Sequence, residues 1–173
     1  GDSSVVVAVI DDGFDLDHPD LAAQFDTDND RYFFTTSSAT TSTTDSGVSS
    51  AATHGTNVAG CVGAIGNNSL GVTGTAQQVT ILPIRFDGGI ASEVAAFEYA
   101  IARGVDIINA SFGGAAFSQA EKEAVDQLEA AGILLVVAAG NYDVSNDAVT
   151  DYPSGFENPN ILSVTASDQD DAL

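Results

Sequence analysis

Two adjacent carboxylates, one histidine and one asparagine supply the residue types from which proton-transfer chemistry is built. Asp11 and Asp12 follow the apolar run "SVVVAVI" (4–10), His54 precedes the small-residue stretch "GTNVAGCVGAI", and Asn141 closes "ILLVVAAGN" (133–141). A buried aspartate bonded to one imidazole nitrogen fixes the tautomer and stabilises the imidazolium, which lets the other nitrogen take a proton from a nucleophile. A side-chain amide at a nearby strand end can donate to the oxyanion that develops when a carbonyl is attacked. Taken singly, each residue also has a plainer account: a helix-capping aspartate, a structural histidine at a helix start, a Gly-Asn turn.

The elements that must position these groups are legible as alternating apolar runs and helical patterns. Residues 4–10, 79–86, 105–112 and 133–139 have the continuous apolar character of strands buried on both faces, and 160–167 adds a further strand. Between them, 91–104 and 118–132 carry helical periodicity, with Ser92 and Ser118 as expected N-caps and Gly104 and Gly132 as expected stops. The order implies an α/β fold with a doubly wound, mostly parallel sheet and helices on both faces. In such sheets chemistry gathers at the carboxyl ends of the strands, where Asp11 and Asn141 stand. The Ser/Thr-rich stretch 35–53 lacks apolar periodicity and reads as an exposed loop.

Composition bounds the rest. The 173 residues, 44% of them hydrophobic, suffice for one domain with a real core, expected over 1–173. Four basic residues against 25 acidic ones give a formal charge of −21, which repels nucleic acid and anionic membranes and excludes both as expected partners. Cys61 is the single cysteine, so no internal disulfide forms, and no apolar run approaches the roughly 20 residues that span a bilayer.

In combination these pieces resemble the subtilisin-like serine peptidases, the subtilases. The resemblance rests on "VAVIDDGFDLDHPDL" (7–21), "HGTNVAG" (54–60), "NASFGG" (109–114), "VVAAGN" (136–141) and "YPSGFENPNILSVTA" (152–166), in the family's order over nearly the whole chain. It implies that Asp11 orients His54, that His54 is the general base and then acid, and that Asn141 donates to the oxyanion. It also implies that Ser111, Phe112 and Gly113 pair with a substrate backbone. Ala138, Ala139 and Gly140 would line the pocket for the residue before the scissile bond. Protein or peptide substrates follow, with a pro-segment or a remaining part of the domain as further partners, and an extracellular location.

The nucleophile is the missing group. The family's Gly-Thr-Ser motif does not occur in the sequence, so the serine is expected beyond residue 173 and the domain is expected to be C-terminally incomplete and inactive alone. Ser111 follows Asp11 and His54 in order, but "GGAAF" separates it from the next helix, unlike a nucleophile elbow. The resemblance further implies a calcium site at Asp20, the Asn68 side chain and the carbonyls of Leu70 and Val72, an oxygen set that suits this ion. The acidic run "DTDND" (26–30) reads as a solvated loop, with a second calcium as its alternative. Asp12 departs from the usual Ser or Thr and is similar to the kexin and furin branch, implying preference for a basic residue two before the cut. Asn57 stands where the family usually has His, and nothing assigns it a role. Two other readings stay open: a peptide-binding relative without chemistry, and a receiver domain that binds magnesium at Asp11 and Asp12, for which Lys122 is misplaced within a helix.

Overall fold

A computed structural model describes residues 1–35, 40–43, 53–141, 145, 147–148 and 150–170. Its sheet is built outward from β1 (Val6–Asp11), whose buried Val7, Ala8, Val9 and Ile10 make it a central strand. On one side β1 pairs in parallel with β4 (Thr80–Phe86), and β4 pairs with β2 (Arg31–Thr35). On the other side β1 pairs with β5 (Ile107–Ala110), followed by β6 (Leu134–Ala138) and β7 (Ile161–Val164), all parallel. β3 (Thr40–Thr43) is antiparallel to β2 and completes a seven-stranded sheet in the order β3-β2-β4-β1-β5-β6-β7. The connections run to opposite sides of β1, so the crevice of the topological switch opens at its carboxyl end.

Strand alternation divides the core into two layers. Ala8 and Ile10 of β1 and Leu82 and Ile84 of β4 pack with Ala96, Phe97 and Ala100 of α2 (Ile90–Arg103) and with Val125 and Leu128 of α3 (Gln119–Ala130). Val7 and Val9 face the other way, with Ile81, Phe14, Leu21 and Ala59 of α1 (His54–Gly63). Each fully buried Ile, Leu or Phe in these layers contributes about 1.5–3 kcal/mol.

The expected strands and helices occur within a few residues of their sequence boundaries, and Ser118 caps α3 by accepting from Glu121 N. Gly104 ends α2 at φ +66°. Ser92 is not the cap of α2: Gly89 holds that position, and the Ser92 hydroxyl reaches back to Gly89 O at 2.8 Å and to the Asp87 carboxylate. The loop expected over 35–53 is a strand at 40–43; residues 36–39 and 44–52 lie outside the described residues, as do 171–173. β-branched threonines favour an extended chain without apolar alternation, which is the signal that periodicity alone overlooks. The acidic run is only partly solvated, since Asp30 is buried and Asn29 bonds back to both carboxylate oxygens of Asp26.

Candidate active site

β1 delivers Asp11 to the crevice, and α1 delivers His54 from the facing layer. Their approach requires glycine at 55, where a Cβ would lie 2.4 Å from Gly13 O and 2.9 Å from Asp11 Cβ. α1 has no side-chain cap of its own. Instead, Asp12 accepts from Gly55 N at 3.1 Å, and Thr56 Oγ1 accepts from Asp15 N at 2.9 Å, tying the helix start to the strand end. An external carboxylate at a helix N-terminus satisfies an orphan N–H and opposes the dipole.

The result is a close pair. His54 Nδ1 lies 2.8 Å and 3.0 Å from the two oxygens of Asp11, and Asp11 Oδ1 also accepts from Asp12 N at 2.8 Å. Asp11 is 4% exposed and the His54 side chain 58% exposed, so the carboxylate is buried while the imidazole reaches solvent. Donation from Nδ1–H to Asp11 leaves Nε2 as the free acceptor of the neutral ring. Burial pushes the Asp11 carboxyl above its ordinary range, against the lowering effect of His54 and the Asp12 amide. An imidazolium formed beside it would offset part of that cost.

The pair opens into a cleft of about 520 Å³ lined by Asp11, Asp12, Tyr32, His54, Arg85, Phe86, Asp87, Gly88, Ser111 and Phe112. Five of these, Asp11, Asp12, His54, Ser111 and Phe112, are among the sequence candidates. Gly113 follows β5, and Ala138 ends β6 with Ala139, Gly140 and Asn141 after it, along the same carboxyl edge without lining this cleft. Asn141 is exposed after Gly140, whose φ is +102°. Ser111 accepts from Asn109 Nδ2 at 2.9 Å, and no hydrogen bond joins it to His54 among the described residues.

The far wall of the cleft was missed from sequence. Tyr32 and Arg85 are paired in register across β2 and β4, with the guanidinium 4.2 Å from the ring centre, and Arg85 is in register with Asp11 across β4 and β1. Asp87 accepts from Thr35 N at 2.5 Å, from Gly89 N at 3.1 Å and from Ser92. Burial raises its carboxyl, and these donations outweigh burial and hold it below the ordinary value. The strand-end rule that found Asp11 applies equally to "RFDGG" after the run 79–86.

Two sets of residues have metal-ligand character. One ligand atom each from Asp11, Asp12 and His54 lie within 4.8 Å of one another, but Asp11 and His54 are already hydrogen-bonded to each other. The other set surrounds Asp20, which is 1% exposed. Its oxygens accept from Asn68 Nδ2 at 2.6 Å and Val72 N at 3.1 Å, and Asn68 Oδ1 accepts from Leu70 N at 3.0 Å. Asn67 and Ser69, both at φ +61°, turn the loop around this buried charge. A half-turn of the Asn68 amide would offer its oxygen to a hard cation, so the residues fit calcium by donor type.

Comparison with known proteins places the chain in a family. The family model described as the subtilase family matches residues 2–173. The chain belongs to the subtilase family. This subtilase chain is 35% identical to subtilisin E of Bacillus subtilis (strain 168) over 170 residues, which cover 95% of the chain and 41% of that protein. It is 36% identical to a subtilisin of Bacillus pumilus, with 95% and 57% covered. It is 31% identical to subtilisin-like protease 2 of Plasmodium falciparum (isolate 3D7), with 96% and 13% covered. The subtilase chain thus spans less than two thirds of the length of these relatives. A receiver-type phosphate site finds no support in it, since Lys122 sits in α3 and pairs with Asp126.

Proposed function

We propose that the protein containing this chain is a serine endopeptidase in which Asp11 and His54 act on a serine that these 173 residues do not supply. The observation that carries the reading is the Asp11–His54 pair: both carboxylate oxygens bond Nδ1, and the ring extends into an open cleft. His54 Nε2 takes the serine proton as the hydroxyl attacks the peptide carbonyl, and returns it to the leaving amine. Asp11 holds the ring and balances its charge. Asn141 donates to the oxyanion, Ser111, Phe112 and Gly113 align the peptide backbone, and Ala138, Ala139 and Gly140 flank the side chain before the scissile bond. Asp12, whose carboxylate fronts the cleft, selects a basic residue two before the cut; equal cleavage of Lys and Ala there would remove this assignment. Export to the extracellular space, with a pro-segment as folding partner, accords with the acidic surface and the family.

The test is hydrolysis of casein and short peptides by the full-length protein, with fluorophosphonate labelling of its serine. Turnover and labelling that both disappear in His54→Ala support the reading. Peptide binding without turnover in the wild type would instead leave a peptide-binding relative that has lost its chemistry.

Calcium belongs to the same proposal. Asp20, the Asn68 side-chain oxygen and the carbonyls of Leu70 and Val72 would hold it, and the bound ion would neutralise a buried carboxylate and stiffen the loop 64–72. At a free calcium concentration 100 times the dissociation constant, the folded state gains about 2.7 kcal/mol. Chelation should therefore lower the melting temperature of the wild type and leave that of Asp20→Asn unmoved.

A further inference from the structure

Away from the Asp11–His54 pair, the structure buries three carboxyls that peptide hydrolysis as described does not use. They are Glu93 of α2, Glu121 of α3 and Asp151 on the segment leading to β7, with relative exposures of 5%, 1% and 5%. Glu93 donates a hydrogen bond to Glu121. A bond between two carboxyls needs a proton on one of them, so the contact itself requires that Glu93 be neutral. Burial and the neighbouring Glu121 push Glu93 up to about 9, and Asp151 acts on Glu121 by its charge. The outer oxygens, Glu93 Oε1, Glu121 Oε2 and Asp151 Oδ1, are buried without a hydrogen bond. Loss of the proton would leave carboxylates facing one another with no donor between them. The other charged groups nearby are engaged or distant: Lys122 of α3 bonds Asp126, Arg31 of β2 lies over Tyr99 of α2, and Arg85 of β4 lies over Tyr32. Asp87, which accepts from Ser92 beside Glu93, is held below its ordinary value by its own donors. Arg103 stands in the last turn of α2, roughly 15 Å along the axis from Glu93.

Glu121 has a second place to go. It is the last residue of "SQAE" (118–121), the pattern of a capping box, in which the glutamate reaches back to the N–H of the N-cap residue. Half of that box is formed, since Glu121 N donates to Ser118 Oγ at 3.3 Å. The other half is open, because the Glu121 carboxyl is turned inward to Glu93. Ionised and turned outward, it would satisfy an orphan N–H and be favoured by the helix dipole. The start of α3 is also tied to what precedes it. Gly114 N donates to Tyr152 O at 2.9 Å, and Tyr152 N donates back to Gly114 O at 2.8 Å. A Cβ at Gly113 would lie 2.7 Å from Asp151 Oδ2, so that segment sits directly against the third carboxylate.

We propose that Glu93 and Glu121 form a pH-sensitive latch: loss of the Glu93 proton frees Glu121 from the α2–α3 interface to complete the cap of α3 at Ser118 N, and loosens the stretch 111–118. The latch goes beyond the peptidase reading and does not depend on it. It is closed when Glu93 is protonated. It opens progressively as pH rises from the ordinary carboxylate value of 4.5 toward about 9, because the open state has lost a proton that the closed state keeps over that window.

The test is hydrogen exchange of the full-length protein, read by mass spectrometry within this pH window and corrected for the intrinsic exchange rate. Opening that releases one proton should become about tenfold more favourable per pH unit, so protection of peptides covering 111–118 and 119–130 should fall by the same factor. Glu93→Gln puts a permanent donor in place of the titrating proton and should abolish this slope. Should that variant fail to fold by circular dichroism, Glu121→Gln, which donates to Glu93 in the opposite sense, should flatten the profile in the same way. At every pH, β1 should stay better protected than 111–130, because its amides open only with the whole molecule. Protection that does not change with pH in the wild type, or a slope that persists in the glutamine variant, overturns the proposal. Equal protection of β1 and of 111–130 would overturn it too, since the event would then be global unfolding and not a latch.

Discussion

In the proposed reaction Asp11 has two tasks that pull in opposite directions, because the burial that aims it at His54 also disfavours the charge that reaction needs. Its folded value lies above the ordinary one, so it costs stability as pH rises beyond the unfolded carboxylate range. Asp11→Asn should therefore separate activity from stability. It should lower kcat/KM by about 10⁴-fold, the size found for triad aspartates of other serine peptidases, while the urea midpoint at neutral pH holds or rises. A parallel loss of both would make Asp11 a structural residue. Sequence made this pair legible because a carboxylate after a buried strand and a histidine before a small-residue helix each announce a position. It did not reveal that Asp12 accepts from Gly55 N, nor that Arg85 stands in register between Tyr32 and Asp11. Those facts depend on which strands become neighbours, and β2 and β4 are about 50 residues apart in sequence, roughly counted.

The helices show how an element is placed by what it lacks as much as by what it carries. α1 reaches Asp11 through Gly55, and Gly55→Ala would set a methyl group within 2.4 Å of a backbone oxygen that cannot turn aside. The substitution should cost about 1–3 kcal/mol by denaturant unfolding, and should reduce kcat through displacement of His54. α2 and α3 are joined by the opposite device, a carboxyl pair between apolar faces. Glu93 is raised from 4.5 to about 9, so the folded state holds a proton that the unfolded chain releases across that interval. Stability from this group is thus complete below about pH 4.5 and is lost as pH climbs toward 9. Glu93→Gln removes the ionisation, and its urea midpoint should fall less than that of the wild type over this window, with a gain approaching 3 kcal/mol on the order of magnitude at pH 7. Identical pH profiles would mean that Glu93 ionises freely. Helix periodicity in the sequence located α2 and α3 but not this contact, since a buried glutamate looks like a surface glutamate until its neighbour is known. The strand at 40–43 escaped for a related reason: threonines pair with β2 through the backbone and leave no apolar trace.

At the scale of the molecule, the balance of 25 acidic against four basic residues is a field that every process on the surface feels. Self-repulsion at a charge of −21 opposes the compact state, and added salt shortens its reach from about 30 Å at 0.01 M to about 3 Å at 1 M. Sodium chloride should therefore raise the melting temperature of the full-length protein. The same screening weakens attraction of a cationic peptide to a cleft bearing Asp11, Asp12 and Asp87, so kcat/KM on Lys and Arg peptides should fall as salt rises. A neutral peptide of equal length should show little change. Opposite signs for stability and for basic-peptide turnover, in one salt series, cannot arise from a general effect of salt on hydrophobic burial, which would leave the two peptides alike. Calcium is distinguished by its own dependence: a site at Asp20 saturates at a concentration set by its dissociation constant, whereas screening varies smoothly with ionic strength. A melting temperature that is flat in sodium chloride would show that the acidic surface is already balanced by bound cations, and the search for them would begin at Asp20.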